Sequence, residues 1–366
     1  MPLITNSRVK TFRRCQRLHA LQYVGCLRSV EEAEALRFGT HLHVGLEHWW
    51  RALLPASGFI IDWEVSDFGN GPVALDLTGW TLEDVPCHAD AFAFALHALR
   101  TKRHPDPFAQ VRLEELLWGY TLRWSGEGIT PISVESEFRA PLRHPHTGEL
   151  HPLWEQAGKL DVLAQRGDDK VLIEHKSSAE DIGVGGTYWK RLLLDGQVSM
   201  YFDGADALGH PVETCVYDVV GKPKIERLRA TTEADRKYTK PMKDAPSRLY
   251  ANQRDADETL DEYRQRVRAL LTSPEGQARY FVRDDVARME HLLDEHRLDL
   301  WATAEQMPAL IPYGTYVPRN TDACLQYGRA CEFHDVCSTG DVSLLDDPNR
   351  FKRLDSPHPE LTEVTK

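Results

Sequence analysis

The sequence lacks any run of about 20 apolar residues, so it predicts no membrane span. Its first ten residues, Met1 to Lys10, hold no apolar stretch of the kind that opens a secretory signal, and a cytoplasmic protein is expected. There is no excess of basic charge. Acidic residues number 56 against 44 basic ones, and the net charge is −12. That excludes a histone-like binder that coats nucleic acid by bulk charge, but not a protein that grips it in a local basic groove. The chain has no internal repeat, no low-complexity tract and no Walker-type glycine loop. It has no ATPase or helicase motif. The seven cysteines are odd in number and follow no secretory signal, so they do not read as a disulfide framework. In a reducing compartment, clustered cysteines point instead to metal ligands.

What is present suits a globular chain. Apolar residues make up 42% and charged residues 27% of 366, enough for one large domain or two ordinary ones. Ser7 can cap a helix running to about Val24, and Phe38, Leu42, Leu46 and Trp49 mark a second over 31–54. Residues 56–87 are punctuated by Gly and Pro and yield no element. Helices are predicted near 88–103 and 107–124, then strands over 132–142, 154–165 and 170–177. Gly167-Asp168-Asp169 turns between the last two strands. A helix over 189–208, a strand over 213–220, a loop-rich stretch over 229–255 and helices near 257–272 and 285–306 follow. This order predicts a compact α/β sheet with helices on its faces. Two basic runs, Arg8–Arg17 and Lys222–Arg229, are each either a groove lining or a solvated face.

One constellation carries chemistry. Strand side chains alternate between faces, so Glu174 and Lys176 project together while Ile173 and His175 point the other way. A hairpin can bring Asp161 beside Glu174. Two carboxylates offer oxygen ligands to Mg²⁺ or Mn²⁺, and the neighbouring lysine can orient water or stabilise charge on a phosphate. A bare E-x-K is common on ordinary surface hairpins. Here it ends a buried-looking strand, where charge is costly without a use.

With these residues in place, the chain resembles the PD-(D/E)XK nuclease superfamily, and within it the RecB-like exonuclease branch. Four segments carry the likeness in order: His43 in Phe38-Gly39-Thr40-His41-Leu42-His43, Asp161 in Gly158-Lys159-Leu160-Asp161, Glu174-His175-Lys176, and Gln197-Val198-Ser199-Met200-Tyr201. Leu160 stands where the family name has proline. Val216–Pro223 is similar to a strand-to-loop segment of phage-type members. The resemblance implies a restriction-endonuclease-like core of about 130–222 within one domain over 1–340, followed by a polar tail over 341–366. It implies that His43, Asp161, Glu174 and the backbone carbonyl of His175 bind metal and that Lys176 assists the nucleophilic water. Gln197 and Tyr201, four apart on a helix, would contact DNA or steady the site. His43 as an ordinary helix histidine, and Gln197 and Tyr201 as packing residues, remain open. Glu135 and Glu137 on the preceding strand could add a further carboxylate.

Cys324, Cys331 and Cys337 lie close in sequence near Pro318, Gly328 and Gly340. A soft metal centre would neutralise three thiolates on such a loop. A subset of the family carries one cysteine before the nuclease core and three after it, and binds a [4Fe–4S] cluster through them. By that likeness Cys15 joins Cys324, Cys331 and Cys337, and the cluster clasps 7–25 to 318–340. A zinc site would need a histidine soon after Cys337, and none follows before His358, although His334 lies between two of the cysteines. Cys26, Cys87 and Cys215 read as plain thiols. The functional expectation is a Mg/Mn-dependent DNA exonuclease acting on ends or single strands in recombination or end processing, with a recombination or helicase partner. A non-catalytic DNA-binding adaptor on the same fold is the alternative, and an electron-transfer protein is a third reading. Tyr188 and Trp189 could stack on unpaired bases or lie in the core.

Overall fold

The structure, a computed structural model, describes residues 1–55, 77, 80–85, 87–240, 247–310, 316–326 and 328–361. Most of the Gly/Pro-punctuated stretch from 56 lies outside them. The chain opens with β1 (Leu3–Ile4), α1 (Asn6–Arg14), α2 (Gln16–His19), β2 (Leu27–Ser29) and α3 (Glu34–Ala52). Helices α4 (Ala89–Lys102) and α5 (Pro107–Trp124) precede strands β3 (Ile129–Arg143), β4 (Leu150–Arg166) and β5 (Asp169–Ser178). Then come α6 (Thr187–Lys190), α7 (Gly196–Ala207) and β6 (Thr214–Gly221). The last part holds α8 (Leu260–Thr272), α9 (Pro274–Tyr280), β7 (Phe281–Ala287), α10 (Glu290–Ala309), β8 (Leu325–Gln326), β9 (Arg329–Ala330), α11 (His334–Thr339) and β10 (Phe351–Arg353).

The central sheet is mixed. It runs β1–β4–β5–β6–β7, and β3 also pairs with β4. Strand β4 is long enough to be shared. β3 lies antiparallel along one of its edges. On the opposite edge β1 pairs only with Glu155 and Gln156, and β5 only with 162–166. Between them, residues 157–161 have no strand neighbour on that edge among the described residues. β5 meanwhile leaves β4 at Ile173 and runs on, parallel to β6, as far as Ser178. The sheet therefore forks where Asp161 and Glu174 sit.

Alternation fixes what covers each face. Val162, Ala164, Val171 and Ile173 pack under α3, α4, α5 and α8, around Trp49, Trp50 and Tyr120. Leu163, Leu172, Cys215 and Val219 pack under α1, α7 and α10. Each large apolar side chain so buried contributes about 1.5–3 kcal/mol. A third, smaller cluster joins Leu18, Leu21, Leu27, Phe333, Val336 and Phe351.

Three expected helices differ from those found. The first is broken at Cys15, whose backbone is extended (φ −162°, ψ 116°), and the Arg17 N–H beyond it donates to the Pro318 carbonyl at 3.0 Å. The helix expected over 189–208 is interrupted at Asp195, whose carboxylate accepts from the Gln197 N–H at 2.8 Å and restarts the chain as α7. The helix expected from 285 begins only at Glu290, because 281–287 is β7, paired antiparallel with β6. The run Arg283-Asp284-Asp285 hid that strand, since its charges obscure the apolar alternation of Phe281, Val282 and Val286. Part of the polar tail is also built in. β10 pairs with β2, and Phe351 stacks on Phe333 with ring centres 4.9 Å apart.

Candidate active site

The fork presents its acidic side chains to a cleft roofed by α3. Two cavities, of about 510 and 460 Å³, meet there and share His43, Glu135, Lys159, Asp161 and Gln197 in their walls. Gly39 allows α3 to come close. A Cβ on that residue would stand 3.2 Å from the Ser177 hydroxyl on β5, a tight contact that the hydroxyl would have to yield to. One helical turn on, His43 reaches the carboxylates. Its Nε2 lies 3.3 Å from Asp161 Oδ1 and 3.2 Å from Glu135 Oε1. These three residues offer ligand atoms within 4.8 Å of one another, close enough to hold a metal ion.

Asp161 and Glu174 are coupled through the backbone. The N–H of His175 donates to Asp161 Oδ2 at 2.8 Å, a contact that the departure of β5 from β4 makes available. Glu174 is 1% exposed. Its Oε1 accepts from Gln197 Nε2 at 2.8 Å and pairs with the Lys176 ammonium, while its buried Oε2 has no partner. A buried carboxylate oxygen in that condition is what a cation site needs. Gln197 Nε2 also lies 2.8 Å from the Tyr201 hydroxyl, to which it donates, so the pair spaced four apart does act on one helix face.

The electrostatics follow from burial and crowding. Burial and the charge of Asp161 push Glu174 up to about 8. Burial acts on Asp161 in the same direction, but the charge and hydrogen bond of His43 outweigh it and hold that carboxyl below the ordinary range. Burial disfavours a charged His43, yet Asp161 and Glu135 together raise it to about 11. Glu135 and Asp161 thus converge on one point beside Glu174, where the chain supplies His43, Lys159 and Lys176 as counter-charges. A divalent cation would serve the same need.

Glu135 is the residue that sequence reasoning undervalued. Its neighbours pair Val134 with Val162 and Ser136 with Leu160, which sets Glu135 opposite Asp161. Its backbone has φ +56°, left-handed for a non-glycine residue, at a cost of order 1–3 kcal/mol. Alternation placed Glu135 and Glu137 on one face. Only the hairpin register distinguishes them. Lys159, one strand over, pairs with Glu135.

Behind the site lies a polar network the sequence did not reveal. The His175 side chain points away from the cleft, as alternation required, and its Nδ1 stands 3.1 Å from Asp218 Oδ2. Asp218 is fully buried and also accepts from Tyr120 OH at 2.6 Å and Arg283 Nη2 at 2.9 Å. Trp50 Nε1 donates to the Tyr120 hydroxyl at 3.1 Å. Burial acts to raise the Asp218 carboxyl, and the Arg283 charge more than reverses it. The middle residue of Glu174-His175-Lys176 is therefore backed by a buried carboxylate.

Other sequence candidates divide clearly. His41 bonds the Arg37 carbonyl at 2.8 Å and lies against His104. Tyr188 and Trp189 are core residues packed near Tyr217. The first basic run is engaged within the protein. Arg8 donates to His19, Lys10 pairs with Asp195, and Arg13 with Asp299. Of the second, Arg227 and Arg229 share Asp257. Cys215 is buried, Cys26 partly so, and Cys87 exposed. Cys15, Cys324, Cys331 and Cys337 line one small cavity, floored by Leu18, Leu21 and Phe333. The Asn320 N–H points at Cys15 Sγ, 3.4 Å away. Among the described residues no three cysteines bring their sulfurs close enough to share a single ion.

The family model of the PD-(D/E)XK nuclease superfamily matches residues 4–338. The chain belongs to that superfamily. No curated protein matches the chain. A solved structure described as "Crystal structure of SSO0001" is similar at 11% identity and a TM-score of 0.24, over 57% of this chain and 64% of that one. So slight a likeness carries no argument. No helix among the described residues is long and apolar enough to cross a membrane.

Proposed function

We propose that the chain is a metal-dependent DNA exonuclease of the RecB-like branch, hydrolysing phosphodiester bonds at ends or in single strands during recombination or end processing. The observation that carries the reading is the meeting of His43, Asp161 and Glu135 in one cleft, whose wall also includes Glu174 with its unpartnered buried oxygen. His43, Asp161, Glu174 and the carbonyl of His175 would hold Mg²⁺ or Mn²⁺, with Glu135 added to that set. The ion supplies Lewis-acid polarisation of the scissile phosphate and makes water a stronger nucleophile. Lys176 orients the water and offsets charge on the phosphate. Gln197 holds Glu174 in place, and Tyr201 supports Gln197. A DNA-binding adaptor would not need to keep a buried carboxylate oxygen unpaired.

The same reading assigns Cys15, Cys324, Cys331 and Cys337 to a [4Fe–4S] clasp. Four thiols lining one cavity, one from before the nuclease core and three from after it, match the ligand number of such a cluster. The cluster would tie α1 and α2 to the segment around α11. A cytoplasmic site of action and a helicase or recombination partner belong to this proposal.

The test is cleavage of linear and circular DNA by purified protein with Mn²⁺. Linear DNA should be degraded and covalently closed circles spared. Asp161→Ala and Lys176→Ala should each lower the rate by about 10²-fold or more while the melting temperature holds. Absence of cleavage with every divalent ion would leave the adaptor reading standing.

A further inference from the structure

Lys159 has no part in the proposed reaction, yet it borders both halves of the cleft, whereas Lys176 borders one. Its side chain is 33% exposed and its ammonium is paired with Glu135. The other oxygen of Glu135 faces His43 at 3.2 Å, inside the candidate metal site. One carboxylate is thus claimed by two cations. Coordination of a divalent ion by Glu135 withdraws charge from its pair with Lys159 and places two positive centres side by side. Lysine carries its charge on a flexible four-carbon stem and can leave at little cost. The cleft also needs a cation for DNA. Lys10, the nearest basic residue on α1, is held by Asp195, and the Arg8–Arg13 run is engaged elsewhere.

We infer that Lys159 is a metal-gated phosphate grip: ion binding at Glu135 releases the ammonium into the cleft, where it pairs with a backbone phosphate of the substrate strand. The inference rests on the nuclease reading and adds a device to it. Without the ion Glu135 occupies the lysine, and DNA is held weakly. With the ion the lysine turns to phosphate, so strand binding and metal loading reinforce each other.

The experiment measures binding of a cleavage-resistant phosphorothioate single strand in Mn²⁺ and in EDTA, over a range of salt, with intact DNA confirmed afterwards. Lys159→Met should weaken binding about tenfold in Mn²⁺, lower the salt slope by about one, and change nothing in EDTA. Glu135→Gln should tighten binding in EDTA, because the lysine is already free. Lys159→Met should bind Mn²⁺ itself at least as well as the wild type, having lost a competitor for Glu135. Melting temperatures check that both variants fold. Equal losses in Mn²⁺ and EDTA would show a permanent contact and overturn the gate. No loss in either would show a fixed ion pair and overturn the grip as well. If the wild type binds no DNA with Mn²⁺, the nuclease reading itself fails and takes this inference with it.

Discussion

Replacing Asp218 by alanine tests how the site is held. Asp218 is fully buried and is the common acceptor for Tyr120 and Arg283, with the His175 ring 3.1 Å away. Its loss strands the Arg283 guanidinium, 6% exposed, with Glu127 as its remaining carboxylate partner. Removing one member of a buried pair costs about 3–5 kcal/mol, a large share of a total stability of about 5–15 kcal/mol. Asp218→Asn keeps an acceptor for Tyr120 but not the charge, and should cost about 2 kcal/mol. Urea unfolding reads the difference as a shift of midpoint at unchanged slope. There is a functional consequence too. Without the carboxylate packed beside its ring, His175 should hold less firmly the N–H from which Asp161 accepts, so Mn²⁺ affinity measured by titration calorimetry should fall in the folded variant. An Asp218→Ala protein within about 0.5 kcal/mol of the wild type, with unaltered metal affinity, would refute the reasoning.

Three further outcomes are expected. Cys331→Ser should remove absorption near 400 nm in anaerobically purified protein and lower the unfolding midpoint, since a structural metal centre contributes folding energy; a colourless wild type would end the clasp proposal. Gly204→Ala should destabilise by about 1–3 kcal/mol, because its Cβ would meet the Phe138 ring at 2.5 Å; a neutral result would mean that Phe138 can move aside. His19 should make a destabilising contribution as the solution is acidified from pH 6.5, opposed by Glu174, whose raised carboxyl is protonated in the folded chain and not in the unfolded one. Burial, and then the charge of Arg8, depress His19 to about 3, so it stays neutral in the folded chain while the unfolded chain takes up a proton below about 6.5. The unfolded state then binds more protons, and at pH 5.5 His19 alone costs about 1.4 kcal/mol. His296, lowered to about 4 chiefly by burial, adds in the same direction. His19→Gln keeps an acceptor for Arg8 and should flatten the profile between pH 6.5 and 5.5; an identical slope would remove His19 from the account.

The sequence by itself determined what local rules govern. Period-two alternation put Glu174 and Lys176 on one face and His175 on the other, and the structure has them so. Helical spacing placed Gln197 beside Tyr201. Five of the elements around the site, α3, β3, β4, β5 and β6, are found within a few residues of their predicted spans. The tertiary structure decided the rest, because it depends on contacts between distant segments. Which of Glu135 and Glu137 meets His43 follows from hairpin register. Lys159 and Asp218 acquire their importance from partners 24 and 65 positions away, Glu135 and Arg283. β7 lies along β6, where Arg283 meets a buried carboxylate, and at the break after Cys15 the Arg17 N–H donates to the distant Pro318 carbonyl. Burial is what makes these partners necessary, and burial is not written in any short window of sequence.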